Sequence, residues 1–285
     1  MPVCAVPGGL IPCVCGGSVF KPALDCGEFA YVRCASCGLV QMNPQPHKAE
    51  IIERYSSAFG NDYLSYELEN EAAFLKLQQL ALDDAGFKNF EKNLFLRAAN
   101  GEPPSVLDVG CATGALLSFL RERGWRVTGV EISPCAGYAK KDRNLDVRNL
   151  PLEENNFSSG SFDAVLASHL IEHLNDPRSF LTEVRRVLKP GGRVFITTPN
   201  ISGFQARLYG GRWRSAIFDH LYLFSARTLT KLLKSEGFKI EKISTWGGLA
   251  AGLVPAWLKK TADFLAKRFG CGDVMIVRAI STKPM

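Results

Sequence analysis

Three groups of residues in this chain have the types and spacing for chemistry. In the first, Asp108-Val-Gly110-Cys111-Ala112-Thr113-Gly114 sets a carboxylate two residues before a turn of small side chains, where backbone N–H groups can come close to a ligand. In the second, Ser168-His169-Leu170-Ile171-Glu172-His173 gathers imidazoles and a carboxylate, the groups that serve as general bases. In the third, six of the nine cysteines (Cys4, Cys13, Cys15, Cys26, Cys34 and Cys37) fall in the first 47 residues. Cys34-x-x-Cys37-Gly reads as a knuckle whose turn lets two thiolates face one tetrahedral ion. Its partner is Cys13-Val-Cys15-Gly, and the eighteen residues separating Cys15 from Cys34 fit a zinc ribbon. One residue between Cys13 and Cys15 is a tight spacing, so Cys26 or Cys4 can be the fourth ligand if it strains the site. Four thiolates leave no open coordination position, which makes the role structural.

The elements that must hold these groups follow from hydrophobic periodicity. Val106 to Leu120 reads as a buried strand, a turn and a helix with Leu116, Leu117 and Leu120 in one stripe. Strands near 105–109, 126–131, 145–148, 162–168 and 192–198 alternate with helices near 114–124, 134–142 and 177–188. That alternation calls for an α/β, doubly wound parallel sheet with right-handed crossovers. Lys189-Pro190-Gly191-Gly192 is expected to stop a helix and turn the chain before the strand RVFITT. A helix over 226–236, with Ser225 as its N-cap, and strands over 238–246 and 273–281 complete the pattern. Residues 48 to 100 look helical. The organisation expected is therefore a zinc-ribbon-like module over 1–47, a helical lid or linker over 48–100 and a ligand-binding domain over 101–285.

The ligand at the first corner is decided by what the turn lacks. A dinucleotide site wants G-x-G-x-x-G, and the corresponding positions are Gly110, Ala112 and Ala115. A second acid, Glu131, ends the segment RVTGVE, where it can accept hydrogen bonds from both ribose hydroxyls. Two acids and one small-residue loop suit a ligand with a diol, a cationic amino-acid tail and no phosphates, such as S-adenosylmethionine. The blocks DVGCATG, VEIS, SFDAVLASHLIEHLNDP and VLKPGGRVFITTPN, spread over about residues 104 to 200, resemble the class I S-adenosylmethionine-dependent methyltransferases, in particular the quinone-biosynthesis O-methyltransferase-like group.

That resemblance implies a Rossmann-like seven-stranded sheet whose final strand runs antiparallel. It implies cofactor contacts from Asp108, Gly110, Cys111, Ala112, Gly114, Glu131, Ile132, Leu152, Glu153 and Ser168, with Leu152 covering one face of the adenine. Ala112 departs from the family's glycine and is expected only to tighten the loop. Helices ahead of the first sheet strand generally lie over the cofactor, which makes Tyr55, Phe59, Tyr63 and Tyr66 lid aromatics, with packing against the domain as the other role open to them. The stretch YVRCASCGLVQMNPQP resembles part of a small zinc-binding module found before the catalytic domain in many bacterial relatives, and implies zinc on Cys13, Cys15, Cys34 and Cys37.

Methyl transfer from a sulfonium is an in-line displacement that mainly needs orientation and exclusion of water; a hydroxyl acceptor also needs a base. His169, Glu172 and His173 are the candidates, with a scaffolding role for Glu172-His173 as the alternative. His220 and Tyr222 fall above the pocket, and Trp213 among Arg207, Arg212 and Arg214 forms a basic aromatic loop at its mouth. Over 249–269, Leu258, Ala262, Leu265 and Phe269 share one face of an amphipathic pattern. Burial on the enzyme's flank or in a dimer is expected there, with membrane-surface contact as the alternative.

Composition bounds the rest. A net charge of +6 and a pI near 8.8 permit an anionic substrate, nucleic acid or a membrane surface without requiring any of them. With no run of eighteen apolar residues and no leader pattern, the chain reads as cytoplasmic, its cysteines thiols or metal ligands. The expected function is methylation of a small-molecule acceptor, oxygen favoured. An RNA methyltransferase is the second reading, weakened because Lys21, Arg33 and trailing Lys48 are the only basic groups near the cysteine module. The third is a non-catalytic ligand-binding protein of the same fold.

Overall fold

The computed structural model describes residues 10–56, 58–98, 101–247 and 256–282. Cys4 and residues 249–255 lie outside that set, as do the side chains of Phe59, Leu258 and Ala262. The chain opens with three short strands, β1 (Phe20–Asp25), β2 (Ala30–Cys34) and β3 (Val40–Met42), and then three helices, α1 (Lys48–Ser56), α2 (Ala58–Asp84) and α3 (Phe87–Arg97). Alternation follows: β4 (Ser105–Val109), α4 (Ala115–Glu122), β5 (Arg126–Val130), α5 (Cys135–Lys141), β6 (Val147–Arg148), β7 (Phe162–Ser168), α6 (Pro177–Val187) and β8 (Leu188–Pro199). The remainder is α7 (Phe204–Tyr209), β9 (Tyr222–Leu223), α8 (Ala226–Ser235), β10 (Phe238–Trp246), α9 (Ala256–Phe269) and β11 (Val274–Ser281).

Seven strands form the main sheet in the order β10-β11-β8-β7-β4-β5-β6. β8, β7, β4, β5 and β6 are parallel, and β11 enters antiparallel between β8 and β10. Every residue of β4 is buried, as a central parallel strand covered on both faces requires. One face carries α2, α3 and α4 through Leu82, Phe87, Phe90, Leu116, Leu120 and Trp125; the other carries α6 and α8 through Phe180, Leu181, Val184, Leu229 and Leu233. Local signals fix the helix starts. Asp176 accepts the N–H groups of Arg178 and Ser179 with Pro177 in the first helical position of α6, and Ser225 caps α8 by accepting the Thr228 N–H at 3.2 Å.

Three features depart from the sequence-based expectation. Lys189-Pro190-Gly191-Gly192 is a bulge inside β8 and not a turn before it: pairing with β7 jumps from Leu188 opposite Phe162 to Arg193 opposite Ala164, with Gly191 at φ 79°. On α9, the described members of the apolar face, Leu265 and Phe269, are 44% and 73% exposed and are not packed on the enzyme's own flank. The helix docks instead through small groups, with Ala266 buried and its carbonyl accepting the Thr245 hydroxyl at 2.9 Å. Finally, β1, β2 and β3 do not stand alone. β3 pairs with β9, so the cysteine module and a segment nearly two hundred residues later share one four-stranded sheet. Among the described residues no helix is long and apolar enough to cross a membrane.

Candidate active site

At the carboxyl end of β4 the chain turns through Gly110 (φ 74°), Ala112 (φ 46°) and Gly114 (φ 77°) into α4. Gly114 has no room for a side chain: a Cβ there would lie 2.5 Å from a methyl of Leu145. Ala112 occupies the left-handed region that glycine enters freely, so beyond tightening the loop it holds a strained backbone, which costs about 1–2 kcal/mol. The contact that steadies it is the Glu131 carboxylate, whose Oε2 accepts the Ala112 N–H at 3.0 Å and Oε1 the Ser133 N–H at 2.8 Å. The loop after β5 thereby clasps the turn after β4.

Asp108 is 2% exposed, and its Oδ1 has no hydrogen-bond partner among the described residues. Burial, with a smaller push from Glu131, raises its carboxyl to about 8. An unsatisfied buried carboxylate beside an open turn is a half-built contact that a cationic ligand completes, so the corner fits the amino-acid end of S-adenosylmethionine. Ser168 ends β7 opposite Thr197, Ile132 follows Glu131 half-buried, and Glu153 lies exposed on the short 3-10 turn Leu152–Glu154. Leu152 itself is sealed into the main core. The Cys111 side chain points away from the corner into a satellite core with Leu117, Ala136 and Leu145, where burial raises its thiol.

The second group follows directly on β7. His169 (φ 51°) is bent back so that its Nδ1 lies 3.2 Å from Glu172 Oε1, while its ring stays 48% exposed. Glu172 is fully buried, and its other oxygen accepts the Thr198 hydroxyl at 2.9 Å. Burial opposes its charge, yet the His169 hydrogen bond and the surrounding imidazoles hold its carboxyl down at about 2. His173 meets the Tyr55 hydroxyl at 3.3 Å and stacks edge-on to His220 with ring centroids 4.7 Å apart. Burial, only partly offset by Glu172, pushes His173 down to about 4, so it is a weak proton acceptor. His220 is lowered too, chiefly by burial, and its Nδ1 donates to the Ser215 carbonyl at 2.7 Å. Glu172, His173 and His220 each place a ligand atom within 4.8 Å of the others.

The helices ahead of β4 roof both groups. Glu71 on α2 accepts the Thr113 hydroxyl at 2.8 Å and pairs with Arg143, fastening the helix to the glycine turn. Tyr63 and Glu67 lie one turn apart on α2, and both are raised, first by burial and then by neighbouring carboxylates that include Glu131. Tyr55 stacks edge-on to Tyr63, whereas Tyr66 packs on Phe74 of its own helix and is 54% exposed. Sequence reading found these aromatics but missed Glu67 and Glu71. Their four-residue spacing on one helix face was the available signal.

The cysteine module assembles as well. Cys13, Cys15, Cys34 and Cys37 have their sulfurs within 4.8 Å of one another, with Cys13···Cys37 at 3.5 Å and Cys15···Cys34 at 3.6 Å. A tetrahedron with Zn–S bonds of about 2.3 Å has edges of about 3.8 Å, so the set fits zinc. The one-residue spacing is accommodated by a tight turn, in which Gly16 (φ 84°) donates to the Cys13 carbonyl at 2.7 Å. Burial raises the Cys34 thiol, but backbone N–H groups of Cys37 and Ser36, with the thiols of Cys15 and Cys13, bring it down to about 7, whereas burial raises Cys13 and Cys37. Cys26 packs elsewhere, beside Phe29 and Tyr31.

The module reaches the second group through β9. Tyr31 on β2 donates its hydroxyl to the carbonyls of Ile217 and His220 at 2.7 and 2.8 Å, and Gln45 donates to that of Leu221 at 3.2 Å. Leu221 N–H in turn donates to the Glu172 carbonyl at 2.8 Å. Trp213, expected at a pocket mouth, is instead buried in the apolar cluster with Tyr31, Val40 and Met42.

A doubly wound sheet with an antiparallel β11, a glycine turn after β4 and an acid after β5 defines the Rossmann-like class of adenosyl-group-binding transferases. Residues 82–243 match a family described as "Methyltransferase domain", and the chain belongs to that family. It is 39% identical over 102 residues to the ubiquinone biosynthesis O-methyltransferase of Dechloromonas aromatica, a stretch covering 33% of this chain and 44% of that protein. It is 33% identical over 138 residues to the mitochondrial ubiquinone biosynthesis O-methyltransferase of Rattus norvegicus, covering 42% of this chain and 39% of the relative. The chain thus matches less than half the length of these curated relatives. Among solved structures, a S-adenosylmethionine-dependent methyltransferase from Thermotoga maritima, a possible histamine N-methyltransferase, is similar with a TM-score of 0.54 and 22% identity, over 82% of this chain and 99% of that one. Geranyl diphosphate C-methyltransferase from Streptomyces coelicolor gives 0.51 and 18%, over 82% and 88%. At these identities the likeness concerns the fold.

Proposed function

We propose that the chain is a S-adenosylmethionine-dependent methyltransferase acting on an oxygen nucleophile of a small-molecule acceptor, with a structural zinc on Cys13, Cys15, Cys34 and Cys37. The observation that carries the acceptor chemistry is the Glu172–His169 pair: Nδ1–H donates to a buried carboxylate, which leaves the exposed Nε2 as the basic nitrogen. Family membership and the unsatisfied Asp108 support the cofactor. When bound, S-adenosylmethionine supplies a sulfonium-activated methyl group.

In this reading Asp108 faces the cationic tail, Glu131 the ribose diol, and the turn from Gly110 to Gly114 gives close backbone approach. Tyr63 and Glu67 exclude water from above. His169 takes the proton from the acceptor hydroxyl as the methyl arrives, while Glu172 fixes its tautomer and steadies the imidazolium. The proximity of Glu172, His173 and His220 favours a second reading for the same acceptor, in which these residues would hold a divalent cation and the cation would supply Lewis-acid activation of the hydroxyl.

His169→Gly tests the base, because φ 51° suits glycine and the backbone is undisturbed. S-adenosylhomocysteine affinity should be retained, methyl transfer to a catechol and hydroxy-acid panel should fall about 10²–10⁴-fold, and added imidazole should restore part of it. An unchanged rate would refute the assignment. Activity lost to chelator but regained with Mg²⁺ at constant zinc content would favour the cation.

A further inference from the structure

An exposed surface built from α7, the insertion that follows it and α9 takes no part in either site. From Ile201 to Phe218 the sequence contains Arg207, Arg212 and Arg214 and no carboxylate. Phe204, Leu208 and Tyr209 on α7 are 50%, 61% and 48% exposed, and Phe264, Leu265 and Phe269 on α9 are 67%, 44% and 73% exposed. The two helices meet end to end, since Phe204 N–H donates to the Cys271 carbonyl and Gln205 N–H to Asp273, each at 2.9 Å. Arg207, Arg212 and Arg214, together with Arg268 on α9, are exposed and enter none of the ion pairs among the described residues. The acids near this surface are Asp273, whose carboxyl is raised by burial and drawn partly back by Arg214, Asp84, held by Lys267 at 2.6 Å, Asp219, paired with Arg54 at 3.1 Å, Asp263 in α9, and exposed Asp25, whose backbone packs on Gly211.

We propose that this surface docks on an anionic lipid bilayer. Six exposed large apolar side chains on two helices that meet end to end, with four exposed arginines on those helices and the segment after α7, have the composition of an interfacial surface, whose apolar groups enter the acyl boundary while its cations meet headgroup phosphates. A nucleic acid would satisfy the arginines but leave Leu208 and Leu265 in water. A second copy would cover the leucines but set arginine against arginine across a two-fold axis. The docking does not depend on the methyl-transfer reading.

The test is flotation of the full, zinc-loaded chain with vesicles of phosphatidylcholine alone and with phosphatidylglycerol added. Binding to the mixed vesicles should be about tenfold or more tighter than to neutral ones and weaken with salt. Phe264→Ser/Phe269→Ser should lower it about fivefold or more, with circular dichroism and S-adenosylhomocysteine affinity unchanged. Arg207→Gln/Arg268→Gln should remove much of the preference for anionic lipid. No binding by the wild type, or equal binding by the apolar variant, would overturn the proposal. So would a stable dimer in light scattering or salt-sensitive RNA binding, either one without vesicle association. Failure to bind S-adenosylhomocysteine would defeat the methyltransferase reading and leave the flotation result to stand on its own.

Discussion

At the scale of single residues, the two acids of the corner after β4 do opposite things to the ligand-free protein. Glu131 accepts two N–H groups and holds the loop together. Asp108 is buried without a partner and has its carboxyl raised from 3.8 to about 8. A carboxyl whose folded pKa lies above its unfolded one keeps a proton that the unfolded chain releases, so it costs the folded state nothing at acid pH and progressively more as pH rises from about 4 to about 8. Asp108→Asn, which cannot ionise, should therefore raise the ligand-free melting midpoint at pH 8 by about 2–4 °C per kcal/mol relieved and change it little at pH 4, while abolishing measurable cofactor affinity. A variant stabilised equally at both pH values would contradict the buried-carboxylate argument. Glu131→Ala should lose both affinity and stability, because it frees two N–H donors near a left-handed alanine; calorimetric titration and thermal melts separate the two losses.

At the scale of elements, the strand-to-helix turn after β4 and the pairing of β3 with β9 matter most. Gly114→Ala would put a methyl against Leu145 and Ala139 on a backbone at φ 77°, and should destabilise by about 1–3 kcal/mol with loss of cofactor binding, read from denaturant midpoints and titration. The zinc proposed for the four cysteines should matter to the histidine cluster, because the sheet that carries them reaches it through Tyr31, Gln45 and Leu221. Chelating the zinc, or Tyr31→Phe with zinc retained, should raise amide hydrogen exchange over residues 213–224 and leave β4 and β5 protected. Exchange rising equally everywhere would mean that the module supports the whole fold and not this loop.

At the scale of the whole molecule, the corner after β4 and the cysteine cluster sit on different sheets, and two successive helices cover the corner and the histidine cluster, Glu71 of α2 on Thr113 and Tyr55 of α1 on His173. S-adenosylhomocysteine at a hundred times its Kd should stabilise the chain by about 2.7 kcal/mol, and the increment should be nearly the same with and without zinc. An increment that vanishes on zinc removal would show the two sheets to be one cooperative unit.

The sequence by itself determined the strand and helix order of the doubly wound sheet, the Asp108–Gly114 corner, Glu131 and the four cysteines. Each of these rests on short-range periodicity or a local spacing that reads the same in any context. It misread Lys189–Gly192, because a bulge and a turn use the same residues, and it left α9 between the enzyme's flank, a dimer and a membrane surface, because an apolar stripe does not say what covers it. Only the tertiary structure decided which histidine is held by the buried Glu172, that Glu67 and Glu71 roof the corner, and that Cys26 lies away from the other thiols. Those are contacts between residues far apart in the chain or within loops. Their geometry comes from how sheets and helices pack, and no local pattern encodes it.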